Sequence, residues 1–184
     1  AFLGWSPPGS PKDHFYGIPA ARYPVPHAAA VTGYESTGGP IPVFEATMVD
    51  TIWPDPGVRS EGQYTRLHFA VSLPDTLPKG TTFGWDFGDG QTATGPAVDH
   101  VYLALGDYPV TLTAGNATVA GSARIYEVAH VTGEVRQGRP PEYASIALGY
   151  DQQKLDLLNL TELVHLLAES GRSTEAIVTG KLWV

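Results

Sequence analysis

Histidines at positions 14, 27, 68, 100, 130 and 165 are the side chains that could move protons near neutral pH. None has a second histidine four residues away or the adjoining carboxylate of a helix-borne metal site, so their spacing supports no metalloenzyme. Asp13-His14 reads as a solvated pair, His68 as a residue on the polar face of a strand, and His100 as a structural hydrogen-bonding group. Cysteine is absent, which removes disulfides, thiolate nucleophiles, Cys-ligated zinc, iron–sulfur clusters and c-type haem. There is no Gly-x-Ser-x-Gly elbow, so a Ser–His–Asp site would have to be assembled from distant residues. Asp86 and Asp89 stand three apart, but turn chemistry accounts for both. Thr37-Gly-Gly-Pro40 has no following lysine or helix with which to cradle a phosphate. The expectation is a chain that is not an enzyme.

The charge balance narrows the partners. A net charge of −8 with only 11 Lys plus Arg, none clustered, argues against a surface that tracks nucleic-acid phosphates. No apolar run approaches the ~20 residues that cross a bilayer, so the chain itself is not expected to span a membrane. It begins at Ala1 without a basic, apolar leader, as a processed exported form or a fragment would. The sequons Asn116-Ala-Thr and Asn159-Leu-Thr are short enough to occur by chance.

The elements that must position these residues change character along the chain. Residues 1–40 carry prolines at 7, 8, 11, 19, 24 and 26, which oppose both helix and sheet ladders and predict an extended arm with no regular element. Phe2, Trp5, Phe15, Tyr16, Tyr23 and Tyr34 are more aromatic residues than a disordered segment usually holds. The arm is therefore expected to lay rings into pockets, on a neighbour or on its own domain. From Ile41 to Val128 the pattern is that of short strands. Leu67, Phe69 and Val71 alternate with Arg66, His68 and Ser72, and further strands are predicted at 81–87, 97–102, 108–114 and 118–128. Strands at this spacing, punctuated by Gly, Asp and Asn, mean a sandwich or barrel.

Three blocks carry a family resemblance: Phe83-Gly-Trp-Asp-Phe-Gly-Asp-Gly90, Asp99-His-Val-Tyr102 and Gly106-Asp-Tyr-Pro-Val-Thr-Leu-Thr113. In order and spacing this region resembles the PKD (polycystic-kidney-disease) domain family, an immunoglobulin-like fold. Trp85, Asp86, Phe87, Gly88, Asp89, Gly90, His100, Tyr102, Gly106 and Tyr108 are its signature positions here. They make the fold and specify no chemistry. The resemblance implies a role in adhesion, in protein or carbohydrate contact, or as a spacer beside a hydrolase. Some members bind calcium through acidic loops; Asp55 and Asp75 stand alone here, too few for six to eight oxygen ligands, so no cofactor is expected, calcium being the one alternative that the resemblance leaves open.

After a linker over 129–141, residues 142–184 are predicted to form a helical hairpin. Asn159 would cap the first helix, with Glu162 three residues on; Gly171 would end it, and Ser173 would cap the second. Leu163, Leu167, Gly171, Ala176 and Ile177 loosely resemble one tetratricopeptide unit, which alone cannot bury a continuous core. The hairpin would pack on the sandwich, on another subunit or on further chain.

The expectation is thus a mainly β, PKD-type immunoglobulin-like sandwich with an extended N-terminal arm and a C-terminal helical hairpin. Its role would be that of a non-catalytic subunit of an exported, periplasmic or cell-surface assembly. Phe2, Trp5, Phe15, Tyr16, Tyr23, Leu163, Leu167 and Trp183 are the expected contacts on other protein subunits. The alternative is a spacer or carbohydrate-binding module of a larger secreted hydrolase or adhesin, with Trp5, Trp53 and Trp183 as stacking rings.

Overall fold

In the computed structural model the described residues are 33–35, 42–52, 63–72, 74–125 and 138–183. The strands are β1 (Gly33–Glu35), β2 (Val43–Ile52), β3 (Tyr64–Ser72), β4 (Phe83–Asp86), β5 (Thr92–Thr94), β6 (Ala97–Tyr102), β7 (Gly106–Ala114) and β8 (Ala117–Ile125). They form two antiparallel sheets, ordered β1-β8-β7-β4-β5 and β2-β3-β6, which enclose one core as an immunoglobulin-like sandwich. β1 lies within the span expected to be irregular. Three residues paired on the edge of β8, Tyr34 opposite Val119, need no periodicity of their own.

The core follows from alternation. Leu67, Phe69 and Val71 of β3 face Val110 and Leu112 of β7, with Trp85 and Phe87 between them. Phe44 meets Trp85 edge-on at 5.3 Å, Phe69 meets Phe87 at 5.1 Å, and Trp85 Nε1 donates to the Gly95 carbonyl at 2.8 Å. Each such ring or branched side chain contributes about 1.5–3 kcal/mol on leaving water.

β2 breaks its own alternation. Met48 pairs with Leu67 while Asp50 pairs with Arg66, so Val49 is the extra residue of a β-bulge. Before the bulge the even-numbered Phe44 and Ala46 point into the sandwich. After it the even-numbered Asp50 and Ile52 point to the other face of the sheet, because a one-residue slip exchanges faces.

That outer face is covered by helices. α1 (Pro140–Ala147), α2 (Leu157–Glu169) and α3 (Ser173–Gly180) build a second core in which Tyr143, Ala147, Leu163, Leu166 and Leu167 pack on Ile52, Tyr64, Val101 and Leu103. Three helices replace the expected hairpin. α1 starts inside the segment read as linker because Pro140 and Pro141 occupy the first helical turn, where a missing N–H costs nothing. The cap of α2 is Asp156, whose Oδ1 accepts from Asn159 N at 2.8 Å, and not Asn159 itself. Asn159 Nδ2 also donates to Asp156, so of the two sequons Asn159 is buried while Asn116 is exposed at the β7–β8 turn. Ser173 is the first residue of α3, after Arg172. Gly171, at φ +80°, ends α2.

Candidate functional site

Polar side chains able to do chemistry are gathered where the sandwich meets the helices. The first cluster depends on the bulge in β2, which places Asp50 opposite Arg66. Arg66 Nε donates to Asp50 Oδ1 at 2.9 Å and Nη2 to Oδ2 at 2.6 Å, a two-pronged pair. Tyr143 of α1 donates to the same Oδ1 at 2.7 Å and lies under the guanidinium, 5.7 Å from ring centre to Cζ. Glu142 Oε2 stands 3.6 Å from Arg66 Nη2, and Asp99 on β6, paired with His68 at 2.7 Å, stands 4.0 Å from Nη1. Burial alone would disfavour the Arg66 charge, but the Asp50 hydrogen bond and negative charge more than offset it, and the guanidinium is held more firmly protonated than usual. The Tyr143 hydroxyl is pushed far above the ordinary tyrosine range, first by burial and then by the adjacent Asp50 carboxylate.

The second cluster contains the signature blocks. Asp86 Oδ1 accepts from Gly88 N, and Asp89 Oδ1 accepts from Gln91 N, closing the tight turn between β4 and β5. Gly88 sits at φ +77°, and a Cβ there would lie 2.3 Å from the Pro109 carbonyl oxygen, so only glycine fits. The other oxygen of Asp89 meets His100 Nε2 at 2.8 Å, and the His100 ring stacks on Phe87 at 3.9 Å. The Tyr102 hydroxyl donates to the Phe87 carbonyl, and Tyr108, stacked on Tyr102 at 4.4 Å beside Gly106, donates to the Ala104 carbonyl as a tyrosine corner. Burial pushes the Tyr102 hydroxyl strongly upward and that of Tyr108 up to about 12, the Asp89 charge adding to both.

The segment between α1 and α2, Leu148 to Asp156, is a strap tied to this cluster. The Tyr150 hydroxyl stands 3.1 Å from His100 Nδ1 and 2.8 Å from both the N–H and the carbonyl of Val101. The Gln91 amide pairs with the Asp151 backbone, donating to its carbonyl at 3.2 Å and accepting from its N–H at 2.7 Å. Elsewhere at the junction, the Tyr64 hydroxyl lies 2.9 Å from both the carbonyl and the carboxylate of Glu162, and Gly138 N donates to Thr51 O.

The order Asp89–His100–Tyr150 has the outline of an acid–base relay. Its last oxygen is engaged by the Val101 backbone inside the protein, and burial drives the Tyr150 hydroxyl well above its usual range, so it offers no nucleophile to a substrate. Among the described residues no three His, Asp or Glu side chains converge as metal ligands, and no helix is long and apolar enough to cross a membrane.

The ten signature positions lie together around this turn and corner. Of the expected partner contacts, Leu163 and Leu167 have described side chains. Leu163 and Leu167 are fully buried in the second core, which corrects their assignment: the apolar face of α2 is used up against α1 and the sandwich. Phe2, Trp5, Phe15, Tyr16 and Tyr23 lie outside the described residues, as does the side chain of Trp183. Sequence reasoning missed Asp50, Arg66, Gln91, Tyr143 and Tyr150, whose side-chain hydrogen-bond partners lie 16 to 93 residues away. The tyrosines of the C-terminal segment were the available signal, since a buried ring with a hydroxyl needs a polar partner. Leu157, Leu158, Ile177, Val178 and Leu182, by contrast, are each more than half exposed on the helices.

Against known proteins, the family model for the PKD domain matches residues 51–127. Human polycystin-1 is 36% identical over 90 residues, an alignment covering 45% of this chain and 2% of that protein. The chain therefore contains a PKD domain, and it spans only a small fraction of the length of this curated relative. PKD domains are typically non-catalytic modules of larger surface or secreted proteins.

Proposed function

We propose that this chain is a non-catalytic structural and interaction module of an exported, periplasmic or cell-surface assembly. In this reading the sandwich and its helices form one rigid body that binds other protein subunits. The observation that supports it is a division of labour. Polar groups that could do chemistry are spent on bonds between sandwich and helices, while Leu157, Leu158, Ile177, Val178 and Leu182 present apolar surface outward. Large apolar side chains left exposed on helices favour protein contact. They take the place of Leu163 and Leu167 as contacts, beside the aromatic side chains of the N-terminal arm and Trp183.

The test is co-purification with mass spectrometry from the native source. Intact chain, a chain lacking residues 1–38 and an Ile177→Asp/Val178→Asp chain are compared, each with its melting temperature. Loss of partners from either altered chain at unchanged melting temperature supports the reading; full retention by both overturns it. A second reading, a spacer or carbohydrate-binding module of a larger secreted protein, is favoured by the small share of polycystin-1 that the chain spans. A glycan array on the intact chain tests it.

A further inference from the structure

Two motifs, Asn116-Ala-Thr118 and Asn159-Leu-Thr161, have the form read by oligosaccharide transfer to asparagine, and the fold gives them opposite settings. Gly115 and Asn116 are the two turn residues of the β7–β8 hairpin, between the paired Ala114 and Ala117. Gly115 supplies a φ of +61°, and its N–H donates to the Thr82 carbonyl at 3.0 Å, so the tip is held while Asn116 and Thr118 stay exposed. β7 begins at Gly106, shortly after Leu103 of the second core, and the turn lies at its other end, about 27 Å away at the rise of a strand. A bulky group on Asn116 is therefore rooted far from the helices. Asn159 is the reverse case. It is 8% exposed in the first turn of α2, where its N–H and its Nδ2 both donate to Asp156 Oδ1, at 2.8 and 3.0 Å. A sugar on that nitrogen would have to pass through the packed start of α2.

We propose that Asn116 is the acceptor of an N-linked oligosaccharide in the exported chain and that folded chain carries Asn159 bare; the proposal rests on the exported reading given above. The donor is an oligosaccharide linked to a lipid pyrophosphate. Asn116 Nδ2 bonds to the anomeric carbon as the bond from that carbon to the pyrophosphate oxygen breaks. The nitrogen gives up one proton, and the lipid pyrophosphate leaves. Transfer to chain not yet folded would reach both motifs, so the fold decides which product survives as native protein. At the hairpin tip the solvated glycan meets no packed element. At Asn159 it would hold open the start of α2 and with it the second core, to which Leu160 and Leu163 of the next turn belong or lie adjacent. A glycan at Asn116 also leaves the exposed apolar side chains of α2 and α3 free for protein contact.

The test uses the intact chain, secreted from insect cells behind a cleavable leader. The folded fraction is treated with an N-glycan amidase in heavy-oxygen water, which marks each formerly occupied asparagine as a labelled aspartate. Peptide mass spectrometry is expected to find the mark at residue 116 and none at 159. Asn116→Gln and Thr118→Ala should each lose the mark, and Thr118→Ser should keep it. A bare Asn116, a marked Asn159 in folded chain, or a mark that survives Thr118→Ala overturns the proposal. So does a bare Asn116 in chain recovered outside the cells of the native source. Native chain found bare inside those cells, beside a marked Asn116 in the secreted chain, overturns the exported reading and supports the acceptor. The unaltered chain carries the result even where a variant does not fold.

Discussion

The hydroxyl of Tyr143 on α1 donates to the carboxylate of Asp50 on β2 at 2.7 Å, across 93 residues of chain, and the same carboxylate holds both prongs of Arg66. This carboxylate ties α1 to the PKD sandwich, and the first two predictions follow from it.

Tyr143→Phe should destabilise the chain by about 1.5–3 kcal/mol, the range for a hydrogen bond to a charged group. Arg66→Met should cost more, about 3–5 kcal/mol, because it leaves Asp50 buried without its countercharge. Urea unfolding of both variants measures the order. Equal losses would mean that Asp50 is not held as the bifurcated acceptor described.

Leu163→Ala removes a fully buried side chain from the second core, at an expected cost of about 2–5 kcal/mol. Since Leu163 shares that core with Tyr64 and Val101, amide exchange should accelerate in β3 and β6 as well as in α2. Acceleration confined to the helices would show two independent units.

Gly80 and Gly88 separate backbone conformation from space. Both have positive φ, but a Cβ on Gly80 meets nothing within 4 Å, whereas one on Gly88 strikes the Pro109 backbone. Gly80→Ala should cost about 1–2 kcal/mol, and Gly88→Ala at least about 3 kcal/mol, conformational strain and collision together. Thermal unfolding of the two variants checks the difference.

Raised tyrosine pKa values set the alkaline limit. Tyr102, Tyr108 and Tyr143 favour the neutral hydroxyl in the folded chain more than in the unfolded one. Their contribution to stability is therefore complete below about pH 10, the unfolded value, and is lost as pH rises toward and beyond the folded values, about 12 for Tyr108. Absorbance at the phenolate band, followed with circular dichroism, should show these tyrosines ionising together with unfolding. Smooth ionisation of the folded chain near the ordinary value would contradict their burial.

The amino-acid sequence determined what local chemistry dictates. The alternation in β3 and β7, the glycine-bound turn at Gly88 to Gly90 and the ordered blocks from Trp85 to Tyr108 are written in neighbouring residues, and they specified the sandwich. The bulge at Val49 is not written there: which residue a ladder skips depends on the partner strand, and it decides that Asp50 and Ile52 leave the core for the outer face. Nor could the apolar stripe of α2 disclose its destination, because a leucine face fits a neighbouring subunit as readily as this chain's own sheet. Tertiary structure decided both by setting Arg66 opposite Asp50 and closing Tyr143 and Leu163 over them, since the hydrogen bonds and buried area that choose among the alternatives exist only once distant segments meet.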